Sequence, residues 1–387
     1  MSDLARGVIL ALNAGSSSVK FAIFESEALE RLAGGEIERI GSDEASLHVT
    51  SAIAPGADQR TPAEVPDAPA AIGLLISSLP EILAGREIAA IAYRVVHGGE
   101  RFVDHTRVSD SLLEELRKII SLSPEHLPAA IELMGAFREA YPGAEHTACF
   151  DTAFHADLPA VAKTLPLPRR YQEMGMRRFG FHGLSYTYLL AELERIGAPG
   201  ESAGRVILAH LGNGSSLAAL RAGKCVDTSM AFSPASGVPM GSRTGDIDPG
   251  ALCHLIEQEG LDADQLRHLV FKESGLLGIS GTSADVRDLL AIEGDDPRAA
   301  EALDHYCYQV RKWIGAFAAA LGGLDTLVFS GGIGANSATI RERICSGLGF
   351  LGLPPESDRV AVHVIPTDEE IVLARIAHNQ RSGVARN

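Results

Sequence analysis

The chain has 387 residues, which at roughly 100–200 residues per domain suggests two domains. Its hydrophobic content of 46% and charged content of 22% are typical of a globular protein and exclude a disordered or low-complexity chain. The formal net charge of −16 argues against binding to nucleic acid or to an anionic membrane. Any anion that the protein binds must therefore be held by a local site.

The first predicted element is a hairpin. Residues 8–12 and 19–24 are β-rich runs, and residues 13–18 between them form a small polar turn. Residues 52–70 contain four prolines and predict a surface excursion without regular structure. The apolar run at the N-terminus is too short to cross a membrane and lacks a cleavage site, so neither a signal peptide nor a membrane span is expected.

Two helices have clear start signals. Ser111 and Glu114 form a potential capping box that predicts the start of a helix with apolar residues at helical spacing. Asp296 as N-cap, Pro297 in the first turn and Gly322 beyond the last apolar position predict a long amphipathic helix. Strands that alternate with such helices indicate an α/β protein.

The second half of the chain repeats the opening of the first. Residues 206–209 and 217–220 are strand-like and flank a polar turn at residues 210–216. Aligning Gly15 with Gly214 gives an offset of 199 residues and brings the strands into register. The repeat predicts two homologous α/β domains, with a boundary near residue 150 and a ligand between the copies.

Three glycine-rich turns each follow an apolar strand, at residues 13–18, 210–216 and 330–336. Glycine lets the backbone approach a phosphate group closely, and serine or asparagine adds side-chain donors. A hairpin turn without a ligand is the alternative for any one of them. The P-loop, dinucleotide-binding, nucleophile-elbow and zinc-protease motifs are absent from the sequence.

Several charged residues lie in glycine-rich surroundings. Arg94 and Arg243 have small neighbours and are suited to an anion, although either could instead pin a loop through carbonyl hydrogen bonds. His182 is either functional or a satisfied core histidine. Asp151, at the end of a strand, is either a working carboxylate or a helix N-cap. The five cysteines are far apart and lack any C-x-x-C pair, which disfavours disulfides and zinc and favours a cytoplasmic location.

Eight segments, in order along almost the whole chain, resemble those of the acetate kinase family. They are residues 13–21, 93–99, 181–183, 210–216, 227–230, 241–249, 331–334 and 366–370. The resemblance implies two duplicated actin-like, ribonuclease H-like α/β domains with ATP in the cleft between them. The N-terminal domain, residues 1–150 completed by a C-terminal helix at 369–387, would be the carboxylate side, and residues 151–368 the nucleotide side.

The reaction that the resemblance implies is reversible transfer of a phosphoryl group from ATP to acetate, giving ADP and acetyl phosphate. It implies Mg²⁺, with Mn²⁺ as a substitute, and a homodimer. Direct in-line transfer is preferred over a phosphorylated enzyme carboxylate because it needs fewer groups. Acetate is already ionised at pH 7 and needs no strong general base, so Asp151 would orient groups or tune the metal site.

The resemblance also implies roles for individual residues. Asn13 and Glu369 would hold the metal, and Arg94 the acetate carboxylate. Asp151, His182 and Arg243 would be catalytic, the last two by stabilising the transition state. The methyl pocket would be formed by Val96, Phe181 and Pro234, and His126 would also bind the substrate. The nucleotide would be bound by Ser16, Ser18, Lys20, His210, Leu211, Gly212, Asn213, Gly214, Asp285, Val286, Arg287, Gly332, Ile333, Gly334, Ala335 and Asn336.

Two departures from the family pattern bear on specificity. Ala335 stands where the family usually has a glutamate, which removes a carboxylate beside the nucleotide. Glu125 precedes His126 where an apolar residue is expected, so propionate or another short acid stays an alternative to acetate. A second alternative is a non-enzymatic, ATP-driven clamp of the actin kind, which the two arginines argue against.

Overall fold

The computed structural model describes residues 7–15, 17–53, 58–196, 204–355, 357 and 359–383. The chain divides into two compact units. The first is Met1–Ala153 together with Asp368–Asn387, and the second is Phe154–Thr367. Asp151 therefore belongs to the first unit. Ser16, predicted to bind nucleotide, lies outside the described residues.

Strands and helices are interspersed along the chain after five initial strands, as predicted for an α/β protein. The strands are β1 (Val8–Ala14), β2 (Val19–Glu25), β3 (Arg31–Glu38), β4 (Ser46–Ser51), β5 (Gln59–Pro62), β6 (Ile88–Val95), β7 (Thr106–Arg107), β8 (Glu145–Phe150), β9 (Arg205–His210), β10 (Ser216–Arg221), β11 (Lys224–Thr228), β12 (Thr326–Ser330) and β13 (Ala361–Val364). The helices are α1 (Ala68–Leu83), α2 (Asp110–Lys118), α3 (Leu127–Ala140), α4 (Ala160–Lys163), α5 (Arg169–Glu173), α6 (Gly183–Arg195), α7 (Pro249–Glu259), α8 (Ala263–His268), α9 (Gly275–Ser280), α10 (Val286–Ile292), α11 (Pro297–Leu321), α12 (Gly331–Asn336), α13 (Ala338–Cys345) and α14 (Glu369–Ser382).

The first unit is built on an eight-stranded sheet in the order β5-β4-β3-β2-β1-β6-β8-β7. Strand β1 is antiparallel to β2 and parallel to β6, which is in turn parallel to β8. One face packs against α1 and α3 through a continuous apolar core. Helix α14 packs on β1, β6 and β8, so the end of the chain completes the fold of its beginning.

The second unit is built on a five-stranded sheet in the order β11-β10-β9-β12-β13. Strands β9, β10 and β11 are antiparallel neighbours, whereas β9, β12 and β13 are parallel. The long helix α11 packs on β9 and β10 and lies in the main apolar core of the unit. It also contacts α9, α10 and α13, whose buried residues join the same core.

The two sheets share one plan, which confirms the predicted duplicated, actin-like α/β fold. Strands β3-β2-β1-β6-β8 and β11-β10-β9-β12-β13 both place three antiparallel strands beside two further parallel ones. The offset of 199 residues is wrong, however. The last pairs of the two hairpins are Ala14 with Val19 and His210 with Ser216, which gives offsets of 196 (14 to 210) and 197 (19 to 216). At these offsets Gly15 corresponds to Leu211 or Gly212 and not to Gly214, and the second turn is one residue longer than the first.

The predicted helix ends and the predicted irregular segment are confirmed in part. The long helix begins after Asp296, whose side chain accepts from the amide of Arg298, and ends before left-handed Gly322, as predicted. The predicted cap at Ser111 is wrong, because Ser109 caps α2 by accepting from the amide of Leu112. Residues 52–70 are less irregular than expected, since β5 adds an edge strand there.

The five cysteines all lie in the described part of the chain, and none of them forms a disulfide there; four are buried. In the described residues, helices that combine the length and the apolar character needed to cross a membrane do not occur.

Candidate active site

In the first unit, polar side chains gather where three parallel strands end. Asn13 is near the end of β1, Arg94 near the end of β6, and Asp151 directly follows β8. Glu369 joins them from the first turn of α14. The carboxyl edge of a parallel sheet is where α/β proteins usually bind their ligands. The structure thus brings together four residues predicted to act on the metal, the carboxylate and the phosphoryl group.

Arg94 is the centre of this cluster. Its Nε and Nη2 donate to Oδ2 of Asp151 at 3.0 and 2.8 Å. Its Nη1 lies 3.2 Å from Oδ1 of Asn13 and 3.0 Å from Oε2 of Glu369. The side chain of Asp151 is 1% exposed, that of Glu369 12% and that of Arg94 20%. All three guanidinium nitrogens therefore contact acceptors of the same unit.

Charge and burial compete in this cluster. Burial opposes the charge on Arg94, but the carboxylates of Asp151 and Glu369 outweigh it, so the pKa of the guanidinium lies above its ordinary value. Burial raises the pKa of Glu370, and the neighbouring charge of Glu369 adds to the effect. Arg94 thus stays cationic, whereas burial favours the neutral form of Glu370.

Asn13 and Glu369 offer oxygen donors of the kind that Mg²⁺ prefers. Their side chains are in contact, since Nδ2 of Asn13 donates to Oε2 of Glu369 at 3.1 Å. Mg²⁺ at phosphoryl-transfer sites usually retains waters and uses only one or two protein carboxylates with substrate phosphates. Within the described residues there is no group of three or more His, Cys, Asp or Glu side chains suited to a metal. The donor set fits a magnesium ion that takes most of its ligands from substrate and water.

The other predicted residues of the first unit lie on neighbouring elements. Lys20 on β2 is exposed and lies 3.9 Å from Glu36 of β3. Ser18 closes the first hairpin, where its carbonyl accepts from the amide of Gly15 at 2.8 Å. Val96 directly follows β6, and His126 precedes α3. The roles of these four residues stay predictions.

In the second unit, the predicted nucleotide residues line a cavity of about 770 Å³. Its wall includes eight of them, namely Gly212, Asn213, Asp285, Val286, Arg287, Gly332, Ile333 and Asn336. Ala284, Leu290 and Ser337 complete the wall. The lining is apolar on several sides with a few polar groups, which is typical of small-molecule sites.

The glycines of this cavity allow two backbone segments to approach each other. The amide of Leu211 donates to the carbonyl of Ser330, and the carbonyl of Leu211 accepts from the amide of Ile333 at 2.8 Å. A Cβ added to Gly212 would lie 3.6 Å from the amide nitrogen of Gly332. A Cβ on Gly331, where φ is +74°, would overlap the carbonyl of Leu211. The loop after β9 thus packs directly on the start of α12.

The side chains of His182 and Arg243 approach this loop at Gly214. A Cβ built there would lie 3.4 Å from Nε2 of His182 and 3.6 Å from Nη1 of Arg243. Nδ1 of His182 is 2.8 Å from Oγ of Ser216, and its ring lies 4.5 Å from that of His210. Nε2 of His182 and the guanidinium of Arg243 therefore face the same short stretch of backbone.

Arg243 is held by its own loop. Its Nη1 donates to the carbonyl of Pro234 at 3.1 Å, and its own carbonyl accepts from the amide of Met240. Gly275, with φ of +62°, packs so closely that an added Cβ would overlap the carbonyl of Met240. Asp246 closes the loop by exchanging hydrogen bonds of 2.8 Å with Gly237. Burial raises the pKa of Asp246.

Several residues near the candidate site were missed by sequence reasoning. Leu290 lies four positions after Val286 on α10, so helical periodicity could have found it. Tyr186 follows His182 at the same spacing, and its hydroxyl shares Oγ of Ser216 with Nδ1 of His182. His155, whose Nε2 lies 2.9 Å from the carbonyl of Phe181, had no signal in the sequence.

His155 is expected to make the protein sensitive to acid. Burial, together with the charge of nearby Arg178, lowers its pKa to about 4 from an ordinary value of 6.5. Because the unfolded chain binds this proton more readily, stability is fully present above about pH 6.5 and decreases as pH falls towards 4. Between pH 7.5 and 5 the expected loss is about 2 kcal/mol.

Urea unfolding at both pH values, on the wild type and on His155→Gln, checks this expectation. The variant should lose less stability on acidification, because it has no imidazole to protonate. Equal losses in both proteins would contradict the assignment of the buried, neutral imidazole.

The comparisons with known proteins agree with this geometry. Residues 8–375 match the acetokinase family. An acetate kinase from Bacillus cytotoxicus is 40% identical over 95% of this chain and 97% of its own length. A propionate kinase from Citrobacter rodentium is 44% identical over 95% of both chains.

Solved structures give the same result. The crystal structure of an acetate kinase from Porphyromonas gingivalis covers 96% of this chain and 98% of its own, with 36% identity and a TM-score of 0.84. That of a propionate kinase from Francisella tularensis covers 96% and 99%, with 32% identity and a TM-score of 0.89. The resemblance inferred from the eight segments is therefore confirmed. The chain belongs to the acetokinase family and is a phosphotransferase with a carboxyl group as acceptor.

Proposed function

We propose that the protein is a Mg²⁺-dependent acetate kinase that transfers the γ-phosphoryl group of ATP directly and reversibly to acetate. The observation that carries the proposal is the approach of His182 and Arg243 to Gly214, at the end of the loop that lines the nucleotide cavity. Phosphoryl transfer requires donors aimed at the equatorial oxygens of the transferred group. A histidine nitrogen and a planar guanidinium supply such donors at one point.

The nucleotide is assigned to the cavity of the second unit. Its apolar lining from Val286, Leu290 and Ile333 suits the flat face of a base, and Asp285 and Arg287 lie on the same wall. The loop from His210 to Gly214 then presents backbone to the phosphates. Ala335 is assigned to the same binding region but does not line the cavity, so its effect on nucleotide binding is proposed to be small.

The carboxylate acceptor is assigned to Arg94 in the first unit. Acetate is ionised at neutral pH and needs positioning more than deprotonation. Oδ2 of Asp151 accepts two N–H groups of Arg94, which supports a role in orienting the guanidinium rather than one as a phosphorylated intermediate. Val96, Phe181 and Pro234 are proposed to contact the methyl group, and His126 is proposed to bind the substrate beside them.

Asn13 and Glu369 are the residues proposed to hold Mg²⁺, or Mn²⁺ in its place. When bound, the ion would neutralise phosphate charge. These two side chains also contact Nη1 of Arg94. A homodimer in the cytoplasm is part of the same proposal, by analogy with the family.

Propionate is the competing acceptor. The relative from Citrobacter rodentium, named a propionate kinase, is 44% identical, which exceeds the 40% of the acetate kinase from Bacillus cytotoxicus. Glu125 is half-buried beside His126 and replaces an apolar residue of the family pattern. Both acetate and propionate are therefore tested as acceptors.

A hydroxylamine trap tests the proposal. Protein, ATP and Mg²⁺ are mixed with formate, acetate, propionate or butyrate, and the acyl hydroxamate is measured by its iron colour. Acetate is expected to give the highest kcat/KM. The highest kcat/KM with propionate would make the protein a propionate kinase. No colour with any acid would overturn the kinase proposal.

Two variants test whether Glu125 determines the preference between acetate and propionate. In Glu125→Asn the ratio of kcat/KM for propionate to that for acetate should change, because Glu125 adjoins the proposed methyl pocket. Glu132→Asn on the exposed side of α3 removes the same charge away from the pocket and should leave the ratio unchanged.

A further inference from the structure

His155 is a buried titratable residue that the proposed reaction does not use. It ends the 3₁₀ turn Asp151–His155, and only 2% of it is exposed. Its Nδ1 lies 3.3 Å from Sγ of Cys225, and its Nε2 lies 2.9 Å from the carbonyl oxygen of Phe181. A carbonyl oxygen can only accept, so Nε2 carries the proton and donates it.

The carbonyl that His155 binds belongs to the peptide group that leads into His182. The backbone of His182 is left-handed, with φ of +58° and ψ of +25°. This region is unfavourable for residues other than glycine, by roughly 1–3 kcal/mol, and persists where the surroundings enforce it. A hydrogen bond to the preceding carbonyl fixes the orientation of the peptide plane and therefore the direction in which the His182 side chain leaves the backbone.

The chain before His182 is shaped around the His155 ring. Gly180 has φ of +76°, and a Cβ added there would overlap ring atoms of His155. Only glycine allows the backbone to pass this close to the imidazole. The turn that precedes His182 therefore packs directly against the ring of His155.

A second connection reaches the side chain of His182. The rings of His155 and Tyr186 meet edge to face, with centroids 5.8 Å apart and planes at 82°. The Tyr186 hydroxyl hydrogen-bonds Oγ of Ser216, which is 2.8 Å from Nδ1 of His182. His155 thus supports both the backbone of His182 and the group that orients its ring.

We propose that His155 is a positioning residue, which acts through the Phe181 carbonyl and Tyr186 to aim Nε2 of His182 at the Gly214 loop. The inference rests on the proposed function, since it assigns His155 to the same transition-state donor. His155 itself touches neither the loop nor the nucleotide cavity among the contacts that the structure describes.

A matched pair of substitutions tests the hydrogen bond. Glutamine and methionine have similar length and flexibility, but only glutamine offers an N–H to the Phe181 carbonyl. We expect His155→Met to lower kcat about 10²-fold with the KM for ATP nearly unchanged, and His155→Gln to retain most of the activity. Thermal unfolding confirms that the variants are folded, and His155→Phe, which keeps the ring contact with Tyr186, replaces the methionine variant if that does not fold.

A double-variant cycle separates positioning from a general structural defect. If His155 acts through His182, then His155→Met should cost little when it is added to His182→Ala. Multiplicative losses in the double variant, or equal activity of the glutamine and methionine variants, would overturn the positioning role. Full activity of His182→Ala alone would instead overturn the proposed function, so the two failures are distinguishable.

Discussion

Arg243→Ala is expected to lower kcat by about 10³–10⁵, the range for an arginine that stabilises the transition state of phosphoryl transfer. Nη1 of Arg243 approaches the Gly214 loop together with Nε2 of His182, so its loss removes one of two donors at that point. Affinity for ATP should change much less, because Arg243 does not line the nucleotide cavity. Steady-state kinetics and equilibrium binding of ATP measure the two effects separately.

Arg267→Ala is the matched control. Arg267 also lies in the second unit, but on α8, where its guanidinium pairs with Asp264 at the surface. The control should keep kcat within about twofold, since exposed ion pairs contribute little. Arg243→Lys should be intermediate, because an ammonium keeps the charge but not the planar fork. A kcat of Arg243→Ala close to that of the wild type would refute the role assigned to this arginine.

The sequence predicts most of the fold because its strongest signals are local. Proline at the start and glycine at the end give α11 its true limits of Pro297 and Leu321. The duplicated hairpins follow from strand and turn composition alone. The two-domain architecture then needs only the observation that the same pattern occurs twice.

Register and capping are less predictable because competing residues lie within a few positions of each other. Ser109 and Ser111 both suit a helix N-terminus, and only the backbone conformation decides for Ser109. The turn after β9 is one residue longer than the turn after β1, and matching Gly15 with Gly214 misplaces the repeat by two or three residues.

Residues that position other site residues are the hardest to predict from the sequence. Arg94 is visible because its neighbours in the sequence are small and glycine-rich, and Asp151 because it ends a strand, where α/β proteins bind their ligands. His155 and Tyr186 lie among apolar residues, and their contacts with Phe181 and Ser216 join segments 26 and 30 residues apart. Such contacts depend on tertiary packing, so only the folded structure reveals them.

Arg94→Met is expected to lower kcat/KM for the carboxylate by about 10³ or more and to destabilise the first unit. The substitution removes the two N–H groups that donate to Oδ2 of Asp151, whose side chain is only 1% exposed. Removing one member of a buried pair typically costs about 3–5 kcal/mol. Arg101→Met, an exposed arginine of the same unit that pairs with Glu115, should change neither quantity appreciably.

The double variant Arg94→Met/Asp151→Asn separates the structural role of Arg94 from its proposed role in binding the carboxylate. Neutralising Asp151 removes the buried negative charge that Arg94 compensates in the wild type, so much of the stability lost in Arg94→Met should return. Activity should not return, because the cation proposed to bind the acceptor is still absent. Urea unfolding and the hydroxamate assay on the same preparations measure both quantities. Recovery of activity together with stability would show that Arg94 serves only to neutralise Asp151.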